Sequence, residues 1–206
     1  MNNLLEEIKD DFNWRTAELA SIKTIPFRYN ISEEHKLLLI RYSIPSIYSL
    51  WEGFVKTTFT LYSTYLNRLH IKRDEIAIDL LTHQIDSICQ LNNPRIRYES
   101  KKRFVIIVDE YLKDILSISP NVPTESNVNY KVINGILERF CIAQIDEVYE
   151  NKLNKLVAFR NKIAHGENAI KVEKEIIEEF IKTISDLMVD IILNIEKACI
   201  KKTFLR

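Results

Sequence analysis

Apolar residues along this chain recur mostly every three or four positions, the spacing that places them on one face of an α-helix. The last segment is the clearest case and predicts an amphipathic helix of about seven or eight turns. Its apolar positions are Val172, Ile176, Phe180, Ile184, Leu187, Ile191 and Ile195. Glycine, with 3 in 206 residues, is too scarce for many tight turns. The pattern predicts an all-α protein.

Two more helices are predicted in the N-terminal third of the chain. Residues 3–22 form the first, with Asn3 as its cap and Glu6 three positions on, which resembles a capping box. Ser32 caps the second, and two glutamates follow in its first turn. Each helix therefore has a recognisable start.

The helix that begins after Ser32 is expected to run to about residue 67. Proline lacks an N–H and clashes with the preceding turn, so we expect a kink or a break just before Pro45. Apolar and aromatic residues then occupy more than one face of the segment 44–66. This distribution indicates a central helix that is packed on several sides.

The middle of the chain gives weaker signals. Residues 74–91 and 97–117 are predicted as two helices, although the apolar run 104–108 is also compatible with a strand. Residues 117–129 contain two prolines and are predicted to form a mobile loop. No domain boundary is indicated, so residues 1–206 are expected to form a single domain with a substantial core.

Composition and charge narrow the classes of protein. Hydrophobic residues make up 46% of the chain, which argues for a folded protein. Because 29 basic residues balance 29 acidic ones, any contact with nucleic acid must come from a local patch. The acidic N-terminal segment and the absence of long apolar runs argue against a secretory signal and a membrane span. We expect a cytoplasmic protein.

Several kinds of site are not supported by the sequence. Three glycines cannot assemble a phosphate-binding loop or a dinucleotide fingerprint. Three widely spaced cysteines argue against a disulfide framework or a zinc cluster. The four histidines lack the spacing of metal ligands on a helix. We therefore predict neither a metal nor a cofactor.

Residues 160–166, Arg-Asn-Lys-Ile-Ala-His-Gly, bring reactive groups together at the end of a helical pattern. Metal-free RNA cleavage needs a group that accepts a proton and one that stabilises charge on the phosphoryl oxygens. Histidine suits the first role and arginine the second. On a helix, Arg160 and His165 are about 140° and about 7.5 Å apart. Asn161 lies one turn below His165, where it can orient the ring or bind RNA.

The same residues also have a simpler interpretation. A histidine before Gly166 is ordinary helix termination, because cations favour the negative helix end and glycine adopts the left-handed conformation. The basic residues between positions 151 and 163 form either a solvated helix face or an RNA-binding patch that includes Lys155 and Lys162. Spacing alone does not separate these alternatives.

Three segments resemble the HEPN superfamily. Residues 153–167 are similar to its signature helix, in which an arginine and a histidine stand four to six residues apart. Residues 48–56, Tyr-Ser-Leu-Trp-Glu-Gly-Phe-Val-Lys, followed by Tyr62 and Tyr65, resemble the Trp-Glu-Gly-Phe helix of one bacterial branch of HEPN-like nucleases. Residues 127–129, Asn-Val-Asn, resemble the start of the short helix before the signature helix. The three matches occur in the expected order.

The resemblance implies a HEPN-type helical bundle with additional helices, acting as a metal-independent endoribonuclease. It implies that His165 and Arg160 are catalytic, with Asn161 in support. It also implies a homodimer whose two signature helices face each other, so that the site lies at the interface and binds RNA. The branch is associated with bacterial toxins and antiphage defence, so a cognate antitoxin or defence-system protein is an expected partner.

Glu52 has two interpretations, because a carboxylate in a helix with several apolar faces either reaches solvent or has a buried partner. Its surface partner is Lys56, one turn later. HEPN folds commonly place a polar residue near the site, so the resemblance favours Glu52 as a group that orients Arg160 or His165. Tyr48, on the same stripe, is the aromatic residue expected nearest the site.

A non-catalytic helical adaptor, retaining the fold for dimerisation or for binding a partner, is the competing hypothesis. The joint presence of Arg160, Asn161 and His165 speaks against it. Nucleotide binding without cleavage in the same cleft is a third alternative.

Overall fold

The chain folds into helices packed around a central one. The computed structural model describes residues 1–89, 103–104, 106–108, 110, 115–119, 124, 127–167 and 171–206. Within these ranges the α-helices are α1 (Asn2–Arg28), α2 (Glu33–Arg68), α3 (Ile78–Cys89), α4 (Tyr130–Arg139), α5 (Glu150–Ala164) and α6 (Lys174–Lys201). Short 3-10 turns, Arg73–Glu75 and Glu147–Tyr149, precede α3 and α5. The described residues form no strand, only two isolated antiparallel bridges, so the all-α prediction is confirmed.

The central helix of the fold is α2, which packs against α1, α5 and α6. Its aromatic side chains are fully buried and contribute much of the core: Tyr48, Trp51, Phe54, Phe59 and Tyr62. Burial of an aromatic side chain removes a large apolar area from water, so these residues dominate the packing of the bundle. The prediction of a central helix packed on several sides is confirmed.

A buried arginine holds α1 against α2. Arg15 on α1 forms an ion pair with Asp11 at 2.7 Å and donates a hydrogen bond across to the carbonyl oxygen of Leu50 at 3.1 Å. A side chain at position 53 would place its Cβ 2.5 Å from the Arg15 Nη1 atom. Glycine in the Trp-Glu-Gly-Phe segment therefore leaves room for the guanidinium, and a larger residue would displace it.

Local signals predicted two of the helices well. The Ser32 hydroxyl accepts a hydrogen bond from the backbone N–H of His35 and caps α2. Helix α6 spans 28 residues, and most of the predicted apolar positions are buried, from Phe180 to Ile195. Both predictions are confirmed.

Other boundaries differ from the sequence predictions. Helix α1 extends to Arg28, and Asn3 does not cap it: the cap position is Met1, and the Asn3 amide donates to Glu7 within the helix. Helix α2 continues through Pro45 as one helix, so the alternative of a break at the proline is wrong. In place of a helix from residue 74, a 3-10 turn comes first and α3 begins at Ile78.

Several predictions concern the middle of the chain. Residues 103–104, 106–108 and 110 are helical where they are described, which supports the helical interpretation of the apolar run. The predicted separator at residues 92–94 and residues 120–123 and 125–126 of the predicted loop lie outside the described residues. The described residues of that loop, 117–119, 124 and 127–129, are not helical. No described helix has the length and apolar character needed to cross a membrane.

The two helical glycines allow a direct test of the Arg15 contact. Gly135 lies in α4 with no atom within 4 Å of its would-be Cβ, so Gly135→Ala is expected to raise the free energy of unfolding by about 0.5–1 kcal/mol. Gly53→Ala gains the same helix propensity but displaces a buried charged hydrogen bond worth roughly 1.5–3 kcal/mol. It is expected to lower the free energy of unfolding by about 1 kcal/mol. Denaturant unfolding of both variants measures the difference, and equal stabilisation would contradict it.

Candidate active site

Helix α5 ends in a well-formed C-terminal cap at the position of the predicted histidine. His165 is the cap residue, and Gly166 adopts a left-handed conformation with φ of 79°. The backbone N–H of Gly166 donates to Ile163 and that of Glu167 donates to Lys162, each at 3.0 Å. This is the hydrogen-bond pattern of a Schellman motif. The predicted helix termination at Gly166 is confirmed, and it fixes the backbone of His165.

Four groups surround the guanidinium of Arg160, one turn before the end of α5. Its Nη1 atom donates to the side-chain oxygen of Asn161 at 2.7 Å and to that of Asn127 at 3.4 Å. Its Nη2 atom lies 4.0 Å from the Glu52 carboxylate, and its central carbon lies 4.3 Å from the centre of the Tyr48 ring. Hydrogen bonds, an ion pair and a cation–π contact thus hold the arginine in one orientation.

Glu52 lies close to two of the partners predicted for it, Lys56 and Arg160. Its carboxylate lies 3.0 Å from the Lys56 ammonium and also faces Arg160. The hydroxyl of Thr124 donates to it at 3.3 Å. Because one carboxylate meets two cations, this cluster keeps a net positive charge beside α5. Such a charge favours the approach of a phosphate.

Tyr48 and Trp51 fasten the segment before α4 to α2. The backbone N–H of Val128 donates to the Tyr48 hydroxyl at 2.8 Å, and the Trp51 indole donates to the Val128 carbonyl at 2.8 Å. Burial raises the pKa of the Tyr48 phenol above its ordinary value, against the lowering effect of the Val128 N–H, and Glu52 also contributes to the rise. The phenol therefore stays neutral and also hydrogen-bonds Glu52. These bonds place Asn127 where it meets Arg160.

His165 differs from Arg160 in its surroundings. Its side chain is exposed to solvent at the end of α5. Asn161, predicted to orient this ring or to bind RNA, places its carbonyl oxygen on Arg160. The site therefore combines a firmly held arginine with a histidine that is accessible to a ligand.

The two lysines predicted to bind RNA lie in different surroundings. Lys155 pairs with Glu179 of α6 at 2.9 Å and lies over the Phe180 ring. Lys162 is exposed in the last turn of α5, next to the cap. The structure thus brings Glu52, Arg160 and Asn161 into one cluster, whereas Lys155 contacts α6.

Two contributors were not predicted as site residues from the sequence. Asn127 was noted only as part of a segment before a short helix, and Thr124 was not noted at all. Asn127 is 33 residues from Arg160 in sequence, and Thr124 is 72 residues from Glu52. No local sequence motif predicts that Asn127 or Thr124 contacts the site. The only related signal is an asparagine before a helix, which indicates that the backbone there has a defined conformation. Asn129 caps α4 in this way, accepting from Val132 at 3.0 Å.

No group of three or more histidine, cysteine, aspartate or glutamate side chains is arranged to hold a metal ion within the described ranges. The charged side chains described at this site are Arg160, Lys56 and Glu52.

Replacing Tyr48 tests whether the α2 contacts hold the Val128 segment. Tyr48→Phe keeps the ring over Arg160 but removes the acceptor for a buried N–H, which is expected to lower the free energy of unfolding by about 1–3 kcal/mol. Tyr42→Phe is the matched control, because Tyr42 is an exposed tyrosine on the same helix. Its effect is expected to stay within about 0.5 kcal/mol. If both variants lose the same free energy of unfolding in denaturant, the hydrogen bond between Val128 and Tyr48 does not contribute to stability.

Comparison with known proteins identifies the family of this fold. Neither the curated proteins nor the solved structures gave a match to the chain. Residues 4–204 match the family HEPN_MAE_28990-like HEPN. This match covers nearly the whole chain and confirms the membership of the HEPN superfamily that the sequence predicted. The chain belongs to the HEPN_MAE_28990-like HEPN family.

Proposed function

We propose that the protein is a metal-independent endoribonuclease whose catalytic groups are Arg160 and His165. The observation that carries this proposal is a guanidinium fixed by Glu52, Tyr48 and Asn127, together with an exposed histidine at the C-terminal cap of the same helix. A fixed cation suits a developing phosphoryl charge, because it needs no reorganisation during the reaction. An exposed imidazole can reach a substrate proton.

The proposed reaction uses the RNA as its own nucleophile. A histidine removes the proton of a ribose 2′-hydroxyl, and the oxygen attacks the adjacent phosphorus. Arg160 stabilises the negative charge on the phosphoryl oxygens. The bond from phosphorus to the 5′ oxygen then breaks, and that oxygen takes up a proton. The products are a 2′,3′-cyclic phosphate and a 5′-hydroxyl, and DNA is resistant because it lacks the nucleophile.

A homodimer supplies the two proton-transfer groups that this reaction needs. One imidazole cannot be protonated and unprotonated at once, but two His165 side chains facing each other in a shared cleft can act as acid and base. An apolar surface adjoins this end of the molecule: Leu37, Leu38 and Tyr42 of α2 are all more than half exposed. Large exposed apolar side chains in a cluster are characteristic of interaction sites.

The biological role we propose is that of a toxin or an antiphage-defence effector. An enzyme that cleaves cellular RNA must be restrained, so a cognate antitoxin or another defence-system protein is the proposed partner. The same exposed surface on α2 offers such a protein a place to bind. The non-catalytic adaptor is the competing proposal, and the same exposed apolar side chains favour it equally.

Cleavage assays test the catalytic proposal. Purified wild-type protein with a defined RNA in chelator is expected to leave 2′,3′-cyclic phosphate and 5′-hydroxyl ends. His165→Ala is expected to lower the rate at least about hundredfold, because it removes general acid–base catalysis. Arg160→Ala is expected to lower it about a hundredfold or more through loss of charge stabilisation. Analysis of the fragment termini by mass spectrometry identifies the chemistry.

His70→Asn is the matched control for this assay. His70 is an exposed histidine just after α2, and its backbone is left-handed with φ of 50°, a conformation that asparagine tolerates. This variant is expected to cleave like wild type. Equal cutting by wild type and His165→Ala would place the activity elsewhere. No cutting of diverse RNAs, together with equal growth of cells expressing either protein, would favour the adaptor.

A mixing experiment tests the shared cleft. If both protomers line one site, a tenfold excess of His165→Ala is expected to draw wild-type chains into mixed dimers and to lower the activity per wild-type chain. Light scattering during gel filtration should report a dimer for both proteins. An excess of folded His165→Ala that leaves the wild-type rate unchanged would show that each protomer acts alone.

A further inference from the structure

A side chain from α2 holds the turn that follows α5. Arg41 lies in the third turn of α2, partly buried, and its Nη2 atom donates to the backbone carbonyl of Glu167. The two residues are 126 positions apart in sequence. Glu167 follows Gly166 directly, so this bond acts two residues beyond His165.

Arg41 shares one stripe of α2 with the groups that hold Arg160. Tyr48 is seven residues after it and Glu52 four residues later, spacings that keep all three on one face of a helix. The C-terminal part of this stripe contacts Arg160, whereas its N-terminal part contacts Glu167. Helices α2 and α5 therefore run in opposite directions along this contact, and the stripe holds α5 on both sides of His165.

The backbone around His165 is held from two sides. Its own N–H donates to Asn161 at 3.0 Å, and the Glu167 N–H donates to Lys162 at 3.0 Å. The Glu167 carbonyl accepts from Arg41. Because the His165 ring itself is exposed, its location depends on the backbone that carries it. A shift of this turn would move the imidazole relative to Arg160.

We propose that Arg41 is a positioning residue for RNA cleavage: it fixes the C-terminal cap of α5 and thereby the distance between the His165 imidazole and the Arg160 guanidinium. It acts through the Glu167 carbonyl and does not contact the substrate. This inference rests on the proposed function. A displacement of about 1 Å at a catalytic group can lower a rate about a hundredfold, so a cap of this kind matters for the reaction.

Three variants of the 206-residue chain test the role of Arg41. Arg41→Met keeps an unbranched side chain but removes every donor, and its kcat is expected to fall about ten- to hundredfold while KM stays within about twofold. Arg41→Lys keeps a donor and is expected to recover kcat to within about fivefold of wild type. Arg68→Met is the matched control, because it removes an exposed arginine at the far end of the same helix.

Unchanged kcat in Arg41→Met would overturn the proposal. So would a raised KM at unchanged kcat, since that result indicates a direct contact with RNA. Failure of Arg41→Lys to recover more activity than Arg41→Met would overturn it as well. If Arg41→Met does not fold, Arg41→Gln takes its place with the same expected fall in kcat, because its side chain is shorter and lacks the guanidinium, and an unchanged kcat overturns the proposal.

Amide hydrogen exchange gives a readout that does not depend on activity. The Glu167 N–H closes the cap, so its exchange is expected to be at least about tenfold faster in Arg41→Met than in wild type and unchanged in Arg68→Met. Exchange in the core of α6, at Ile191 for example, should stay the same. Unchanged exchange at Glu167 overturns the proposal. If the wild-type protein does not cleave RNA, the proposed function is wrong. The exchange comparison would still show whether Arg41 holds the turn that contains Glu167.

Discussion

The contact between Arg160 of α5 and the Tyr48–Glu52 face of α2 fixes the geometry of the candidate site. A guanidinium with only 23% of its side chain exposed loses hydration, and this loss is offset only if neighbouring groups replace the water. The asparagine amides, the Glu52 carboxylate and the Tyr48 ring do so. Rotating α5 by one residue would turn Arg160 about 100° away from all of them. The same rotation would expose the buried apolar face of α5, so the contacts of Arg160 and the packing of Leu153, Leu156 and Val157 favour one register of this helix.

The position of α2 depends in turn on α1. Arg15 lies in the space that Gly53 leaves open, and its bond to the Leu50 carbonyl ties the two helices together next to the Trp-Glu-Gly-Phe segment. In that segment Trp51 holds the Val128 backbone, and Glu52 faces α5. A short run of sequence thus serves both the packing of the bundle and the support of the site.

Sequence reasoning succeeded where the determining interactions are local. The Ser32 cap, the glycine termination at Gly166 and the periodicity of α6 each depend on residues within a few turns. It failed at Asn3, where a suitable cap sequence lies inside a helix that begins earlier. The contacts of Asn127 and Arg15 join segments more than thirty residues apart, and no periodicity encodes them. Glu52 was predictable only because the resemblance to a family supplied the long-range information.

The contrast between the two proposed catalytic groups follows from what each must do. A group that stabilises charge is most effective when it is fixed in advance, and Arg160 has the supporting contacts for that task. A group that transfers protons must meet the substrate, and His165 is exposed at a capped helix end. The formal charge of the whole chain is zero, so in the proposed function any attraction of RNA has to come from local clusters such as Arg160 with Lys56. Because α5 contributes a single histidine, a reaction that needs both an acid and a base is best served when two copies of this helix end meet. This requirement for two proton-transfer groups is the chemical argument for the proposed dimer.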